Sequence, residues 1–260
     1  MHKYSELNIN YRFFIDYIKC KQNWRDLKIL DVGCKRGEIV SILRSAGCDC
    51  RGIDPQLRCD IPLSGLYRLP RSGIYPFEDG FFDIVISNQL FEHINDIDTA
   101  IAQMDRVLKH GGIMYHHFPT SETLRDPHLK PYFFNVCIRL DMVPTDLLRK
   151  CLLLFIYFFE QDYNKNRISL TQWINDKLLH MSTRCFYRSY KTITAKFSSQ
   201  YTVKNNEIGY IRYRILRLDP SWKKDLASLI LRLPHRLVVF VFRRLSFSAV
   251  ELQKNNQRRS

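Results

Sequence analysis

The chain has 260 residues, of which 45% are hydrophobic, so it can form one domain with insertions around a sizeable core. Residues 1–120 hold 15 basic and 15 acidic side chains, so the whole net charge of +14 lies in residues 121–260. The eight cysteines include no C-x-x-C pair, and Cys48, Cys50 and Cys59 lack the usual spacing of zinc ligands. We therefore expect no metal site and free thiols in a reducing cytosol.

A turn containing two glycines follows the first predicted strand. Residues 28–32 are apolar enough for a buried strand, and Gly33 and Gly37 precede a predicted helix that extends to about Ala46. Glycine lacks a Cβ, so the backbone can turn tightly and approach a ligand closely. The helix start offers unpaired N–H groups. Open α/β sheets bind nucleotides at such a turn, although an ordinary strand–turn–helix joint would have the same pattern.

Further predicted strands and helices follow in alternation. A second strand ends at Asp54, whose carboxylate can accept hydrogen bonds from both hydroxyls of a ribose. Residues 82–87 form a buried strand. Apolar residues at helical spacing predict a helix over about 97–108, and the Lys-His-Gly-Gly sequence at 109–112 should end it. A strand at 113–118 completes this series.

Four motifs resemble those of class I S-adenosylmethionine-dependent methyltransferases, in the group whose first motif reads LDVGCGxG. The chain carries LDVGC at 30–34, the acid Asp54, FEDGFFDIV at 77–85, and a segment that runs from the Glu-His pair at 92–93 to RVLKHGG at 106–112. The motifs occur in the family's order and at its spacing. The resemblance implies an α/β fold: a Rossmann-like three-layer sandwich with a mostly parallel seven-stranded sheet, an antiparallel last strand and a helical insertion after the fifth strand.

The resemblance also implies S-adenosyl-L-methionine as the cofactor, held at the ends of three strands. The matching positions are Asp31 beneath the first loop, Gly33, Cys34, Lys35 and Gly37 around the methionine part, Asp54 at the ribose, and Ser87, Asn88 and Gln89 facing the cofactor and the substrate opening.

Two departures from the family pattern bear on cofactor binding. Lys35 stands where the family usually has a glycine. Its ammonium can pair with the cofactor's carboxylate, although a solvated loop lysine explains it more simply. Arg71 lies near the position where many relatives carry an acid that reaches the adenine amine, and an arginine cannot accept that hydrogen bond. Asp79 or a backbone carbonyl can replace the acid.

Two histidines are the candidate catalytic residues. Methyl transfer to a hydroxyl requires removal of a proton, and histidine is the usual base because its pKa is close to neutral. His93 belongs to the Glu-His pair, where its alternative role is to orient the following helix. His117 lies nearer than His116 to the carboxyl end of the fifth strand. His128 is better explained as part of a surface turn.

The chain is expected to form a single methyltransferase domain with three recognisable parts. The parts are a cofactor-binding half at about 24–120, an inserted helical cap or substrate region at 121–200 and a basic apolar helical segment at 221–245, all within the domain at 1–260. The candidates for the last two strands are residues 201–204 and 248–252.

The basic part of the chain is also apolar. Residues 151–159 are uncharged but too few to span a bilayer. Residues 226–245 are mostly apolar but are interrupted by arginines and a proline, which suits a segment lying in a membrane interface. A pair of cap helices over the substrate cleft explains the pattern equally well. A nucleic-acid surface is disfavoured because the charge is mixed with aliphatic residues.

These observations favour an S-adenosylmethionine-dependent O-methyltransferase, cytoplasmic and peripheral at the inner face of the membrane. We expect its acceptor to be a small molecule or a lipid-linked glycan, and we expect contact with an anionic membrane surface. The polar first ten residues predict no secretory signal. Two alternatives stay open: an RNA methyltransferase, favoured by net charge alone, and a degenerate, non-catalytic scaffold with the same fold.

Overall fold

The computed structural model describes residues 3–57, 64–124, 143–159, 168–197, 199–217, 225 and 228–256. Over these residues one seven-stranded sheet forms, in the order β3-β2-β1-β4-β5-β7-β6. Its strands are β1 Lys28–Val32, β2 Asp49–Asp54, β3 Leu66–Arg68, β4 Phe82–Asn88, β5 Leu108–Phe118, β6 Tyr201–Asn205 and β7 Ser248–Lys254. Strands β1 to β5 pair in parallel, and β7 lies antiparallel between β5 and β6. The predicted sheet is confirmed.

Helices cover both faces of the sheet. They are α1 Ile9–Lys19, α2 Glu38–Ser45, α3 Ile97–Val107, α4 Asp146–Phe159, α5 Leu170–Arg184, α6 Tyr190–Ala195, α7 Glu207–Ile215 and α8 His235–Leu245. One core lies between the sheet and α3 and α6, and the other lies between the sheet and α1, α2 and α7. The result is the three-layer arrangement that the motifs predicted.

The alternation of side chains along β1 explains why both cores form. Leu30 and Val32 point to the core shared with α3, whereas Ile29 points to the core shared with α1 and α2. Successive side chains of a strand face opposite sides of the sheet. A central parallel strand is covered on both faces, so four of the five residues of β1 are buried, and all of these except Asp31 are apolar.

The junction between α3 and β5 differs from the sequence expectation. Helix α3 ends at Val107, and β5 begins at Leu108 and runs through the glycine pair without a loop. Gly111 has φ 73, and the pairing of β4 with β5 shifts register between Phe82 and Ile84. A glycine at positive φ accommodates such a bulge inside a strand. The helix therefore ends where the sequence predicted, but the strand begins at Leu108 and not at the predicted residue 113.

Helices α4 and α5 lie in the segment predicted as a helical insertion. They pack together around Leu153, Ile156 and Trp173, which form a small core of their own. Two positions named in the sequence analysis lie outside the described residues: Cys59 and the predicted turn that contains His128. Helix α8 occupies the end of the predicted basic apolar segment at 221–245. Across the described ranges, the helices are all too short or too polar to cross a bilayer.

Candidate functional site

The loop between β1 and α2 has a backbone that only glycine suits at two positions. Gly33 has φ 81 and Gly37 has φ 71, both left-handed. A Cβ on Gly33 would lie 2.9 Å from Leu90 Cδ1, and one on Gly37 would lie 2.7 Å from Leu66 Cδ1. The loop backbone thus lies directly against Leu66 at the start of β3 and Leu90 just after β4, an approach that glycine permits because it has no Cβ. Gly33 N donates to Ile53 O at 2.8 Å, which fixes the start of the loop against β2.

Asp54 connects this loop to the end of β2. Its Oδ2 accepts a hydrogen bond from the backbone N–H of Lys35 at 3.0 Å, and its Oδ1 accepts one from Gln56 N at 2.7 Å. The side chain is buried. Each carboxylate oxygen has a second lone pair, so Asp54 can accept further hydrogen bonds from a ligand.

Two further acids converge beneath the loop. Asp31 is buried at the end of β1, and burial, followed by the charges of Glu38 and Asp54, raises its pKa to about 8. Glu38 begins α2, and among the described residues its Oε2 is buried without a hydrogen-bond partner. Carboxyl groups that repel one another in a buried site favour a bound cation. The sulfonium and ammonium groups of S-adenosyl-L-methionine carry that charge.

The end of β4 brings three predicted residues to the same edge of the sheet. Ser87 Oγ lies 2.8 Å from His116 Nδ1 in the core. Asn88 Oδ1 accepts a hydrogen bond from Asn10 Nδ2 of α1 at 3.4 Å. Gln89 has φ 53, and its N–H donates to His117 O at 2.8 Å. The side chains of Ser87 and Asn88 thus contact protein groups, and Gln89 marks a sharp turn out of the strand.

His93 lies in a short 3₁₀ turn, Phe91–His93, directly after β4. Its Nδ1 is 2.8 Å from the carbonyl oxygen of Arg184, and its Nε2 is 3.9 Å from Oε1 of Glu92. Burial lowers the pKa of His93. The imidazole is 28% exposed, so it keeps access to solvent beside the loop.

His117 lies in a different environment. The imidazole is fully buried on the α1 side of the sheet, and the ring centroids of Phe14, Phe247 and Tyr210 lie 4.5, 4.7 and 4.9 Å from its own. Burial holds its pKa well below the ordinary value. A general base must contact the group that it deprotonates. This position conflicts with the predicted catalytic role of His117, because the strand turns the ring into the core and not toward the opening.

The two departures from the family pattern lie at exposed positions. Lys35 has φ 50 and is exposed, with its backbone N–H held by Asp54. Arg71 is also exposed, in the segment that precedes Pro76. Asp79, the suggested replacement for the acid, is bound by Arg106 at 2.6 Å. The Asp79 carboxylate therefore already has a cationic partner.

Replacing Lys35 with glycine tests whether its ammonium contacts the cofactor. A non-glycine residue in the left-handed region costs about 1–2 kcal/mol, so Lys35→Gly should leave the unfolding free energy unchanged or raise it by up to about 1 kcal/mol. We expect the affinity for S-adenosyl-L-methionine to change less than about twofold, measured by calorimetry. Arg36→Gly is the matched control. A tenfold or greater loss of affinity in Lys35→Gly alone would show that the ammonium pairs with the cofactor's carboxylate.

One cluster of side chains was missed by the sequence analysis. His93, His180 and Cys185 place one potential ligand atom each within 4.8 Å of one another. The residues come from the turn after β4 and from the end of α5, far apart in the chain. No spacing rule links them, because the intervening segment determines their approach. Only the residue types could have suggested the cluster.

Comparisons with known proteins agree with this geometry. Residues 30–116 match a family model described as a methyltransferase domain. A ubiquinone biosynthesis O-methyltransferase of Mesorhizobium japonicum is 25% identical over 132 residues, which are 44% of this chain and 52% of that protein. A norajmaline N-methyltransferase of Rauvolfia serpentina is 27% identical over 128 residues, which are 42% of this chain and 44% of that protein. The chain thus spans about half the length of the curated relatives it matches.

A solved structure extends the likeness to most of the chain. An S-adenosylmethionine dependent methyltransferase from Mesorhizobium loti has a TM-score of 0.54 at 13% identity, covering 97% of this chain and 100% of that one. At this identity the likeness establishes the Rossmann-like fold. Together with the matched domain and the four motifs in order, it confirms the resemblance noted in the sequence. Residues 30–116 therefore form a methyltransferase domain of the class I S-adenosylmethionine-dependent family.

Proposed function

We propose that the chain transfers a methyl group from S-adenosyl-L-methionine to a hydroxyl of a lipid-linked glycan or lipid-like small molecule at a membrane surface. The observation that carries the cofactor part is the double hydrogen bond of Asp54, to Lys35 N and Gln56 N. It holds the loop against the end of β2 and leaves carboxylate lone pairs for a ribose. When bound, the cofactor supplies an electrophilic methyl group on a sulfonium.

The residues of the chain would act by binding and positioning. Gly33 and Gly37 let the backbone approach the methionine part, and the buried acids Asp31 and Glu38 favour its positive charges. Displacement at a methyl group requires the acceptor oxygen in line with the carbon–sulfur bond, so holding both partners supplies much of the rate. Of the two predicted catalytic histidines, His93 is the one that keeps access to solvent.

The acceptor class is argued from α8. Its residues Leu237, Phe240, Val241 and Leu245 are between 43% and 53% exposed, whereas Val238 on the opposite side is buried. An exposed apolar stripe of this kind marks an interaction surface. The ubiquinone relative is named an O-methyltransferase, which supports a hydroxyl acceptor without identifying it.

The arginines near the apolar stripe of α8 indicate which kind of partner it binds. Arg232 and Arg236 are exposed beside the stripe, and the Arg244 guanidinium lies 4.2 Å from the ring centroid of Phe240. Arginines that flank exposed apolar residues suit the boundary between acyl chains and anionic headgroups. We therefore assign this surface to an anionic membrane, which would bring lipid-linked acceptors to the methyltransferase domain.

Vesicle flotation tests the membrane surface. We expect the full chain to float with phosphatidylglycerol vesicles. Leu237→Ser with Phe240→Ser should weaken binding at least about tenfold, because two exposed apolar side chains that would enter the membrane are lost. Phosphatidylcholine vesicles should bind less. Ile74→Ser with Leu216→Ser is the matched control at exposed apolar positions elsewhere. Equal flotation of the α8 variant, or strong salt-sensitive RNA binding instead, would overturn the assignment.

A further inference from the structure

Two segments that are distant in sequence meet beside the cofactor loop. His93 follows β4, whereas His180 lies in the last part of α5 and Cys185 directly follows that helix. One ligand atom from each residue lies within 4.8 Å of the other two. All three side chains are half-buried, and Cys185 is not in a disulfide bond. Two imidazoles and a thiol at this separation need only small side-chain movements to surround one metal ion.

Two hydrogen bonds hold the end of α5 against the turn after β4. Arg184 O lies 2.8 Å from His93 Nδ1, and Phe186 N donates to Glu92 O at 2.6 Å. When Nδ1 of His93 is protonated, it donates to the Arg184 carbonyl and leaves the lone pair on Nε2. Metal-binding histidines are oriented in this way by a backbone carbonyl at the other nitrogen. The contact also fixes the chain next to Cys185.

Glu92 gives an independent indication that a cation belongs here. The side chain is 1% exposed, and neither carboxylate oxygen has a hydrogen-bond partner among the described residues. Its Oε1 lies 3.9 Å from Nε2 of His93. A buried carboxyl group without partners is costly, and a metal ion beside it supplies the compensating charge.

We propose that His93, His180 and Cys185 bind a zinc ion, with the Glu92 carboxylate beside it. Two imidazole nitrogens and one thiolate are ligands that zinc commonly binds in proteins. On binding, the Cys185 thiol loses its proton to the buffer, so that the sulfur coordinates as the thiolate. The ion would join the end of α5 to the turn after β4. Because Nε2 of His93 would bind the ion and Nδ1 contacts the Arg184 carbonyl, His93 could not accept a proton from the methyl acceptor. The zinc site therefore replaces the predicted role of His93 as a base.

Cobalt substitution tests this site without an acceptor or a cofactor. The full chain, with any polyhistidine tag removed, is titrated with Co²⁺ and followed by absorption spectroscopy. We expect one Co²⁺ per chain, with a thiolate-to-cobalt charge-transfer band and the strong d–d bands of four-coordinate cobalt. Zn²⁺ should displace it, because zinc binds such sites more tightly than cobalt.

Two variants and two matched controls decide the outcome. Cys185→Ser should abolish the charge-transfer band, and His180→Ala should lower the Co²⁺ affinity at least about tenfold. Cys151→Ser and His235→Ala, both at exposed positions, should bind as the unmodified chain does. Circular dichroism checks that each variant folds. The proposal is overturned by a band that persists in Cys185→Ser, by a band lost in Cys151→Ser, or by absence of stoichiometric binding. Because S-adenosyl-L-methionine is absent, this result is independent of the proposed activity.

Discussion

Replacing Asp54 with alanine will lower the affinity for S-adenosyl-L-methionine by at least about 100-fold. The variant removes the two hydrogen bonds that Asp54 accepts from Lys35 N and Gln56 N. It also removes the carboxylate that is proposed to accept hydrogen bonds from the ribose. Hydrogen bonds to a charged group contribute about 1.5–3 kcal/mol each, so loss of two reaches this magnitude. Isothermal titration calorimetry of the variant and the unmodified chain measures the difference.

The matched control is Asp26→Ala, at an exposed acid just before β1. It removes one negative charge without touching the loop, so its affinity should equal that of the unmodified chain. Thermal unfolding of both variants separates loss of binding from loss of the fold. If Asp54→Ala binds the cofactor as tightly as the control does, Asp54 does not have the role proposed for it.

Replacing Glu207 with alanine will lower the free energy of unfolding by about 3–5 kcal/mol, because it leaves a largely buried cation without its partner. Glu207 is fully buried at the start of α7, and its Oε1 accepts a hydrogen bond from Arg243 Nε at 2.6 Å. The Arg243 guanidinium also lies 3.4 Å from the ring centroid of Tyr190. The pair therefore joins α7, α8 and α6. Urea unfolding followed by circular dichroism gives the free energy.

Asp98→Ala provides the comparison for Glu207→Ala. Asp98 pairs with Lys196, but its side chain is 73% exposed, so we expect its loss to cost less than about 1 kcal/mol. A change below 1 kcal/mol in Glu207→Ala as well would contradict the view that this buried pair fixes α8 on the sheet. The same result would weaken the geometry on which the membrane surface depends.

The sheet and the cofactor loop could be predicted because their signals are local. A buried strand followed by Gly33 and Gly37 describes a strand–turn–helix unit within a short segment, and the later motifs repeat the pattern in order. The junction at Val107 could not be predicted in the same way. A glycine after a helix ordinarily ends it in a loop, but pairing of β5 with β4 starts the strand at once and makes Gly111 part of a bulge.

The candidate histidines could not be placed from local sequence signals. His116 and His117 lie on opposite faces of β5, so the sequence indicated that only one of them could approach the opening. It did not show that α1 covers the face that carries His117 and buries its ring completely. The approach of His180 and Cys185 to His93 depends on where α5 packs. Such long-range placement follows from tertiary packing, which no residue spacing encodes.

The most direct test of the proposed function is transfer of the labelled methyl group of S-adenosyl-L-methionine to membranes of the organism that encodes the chain. Labelled product is extracted into organic solvent and treated with mild alkali, which cleaves methyl esters but not methyl ethers. The proposal predicts alkali-stable label in the lipid extract with the unmodified chain and none with Asp54→Ala. Label in RNA, or no transfer to any fraction although the cofactor binds, would contradict it.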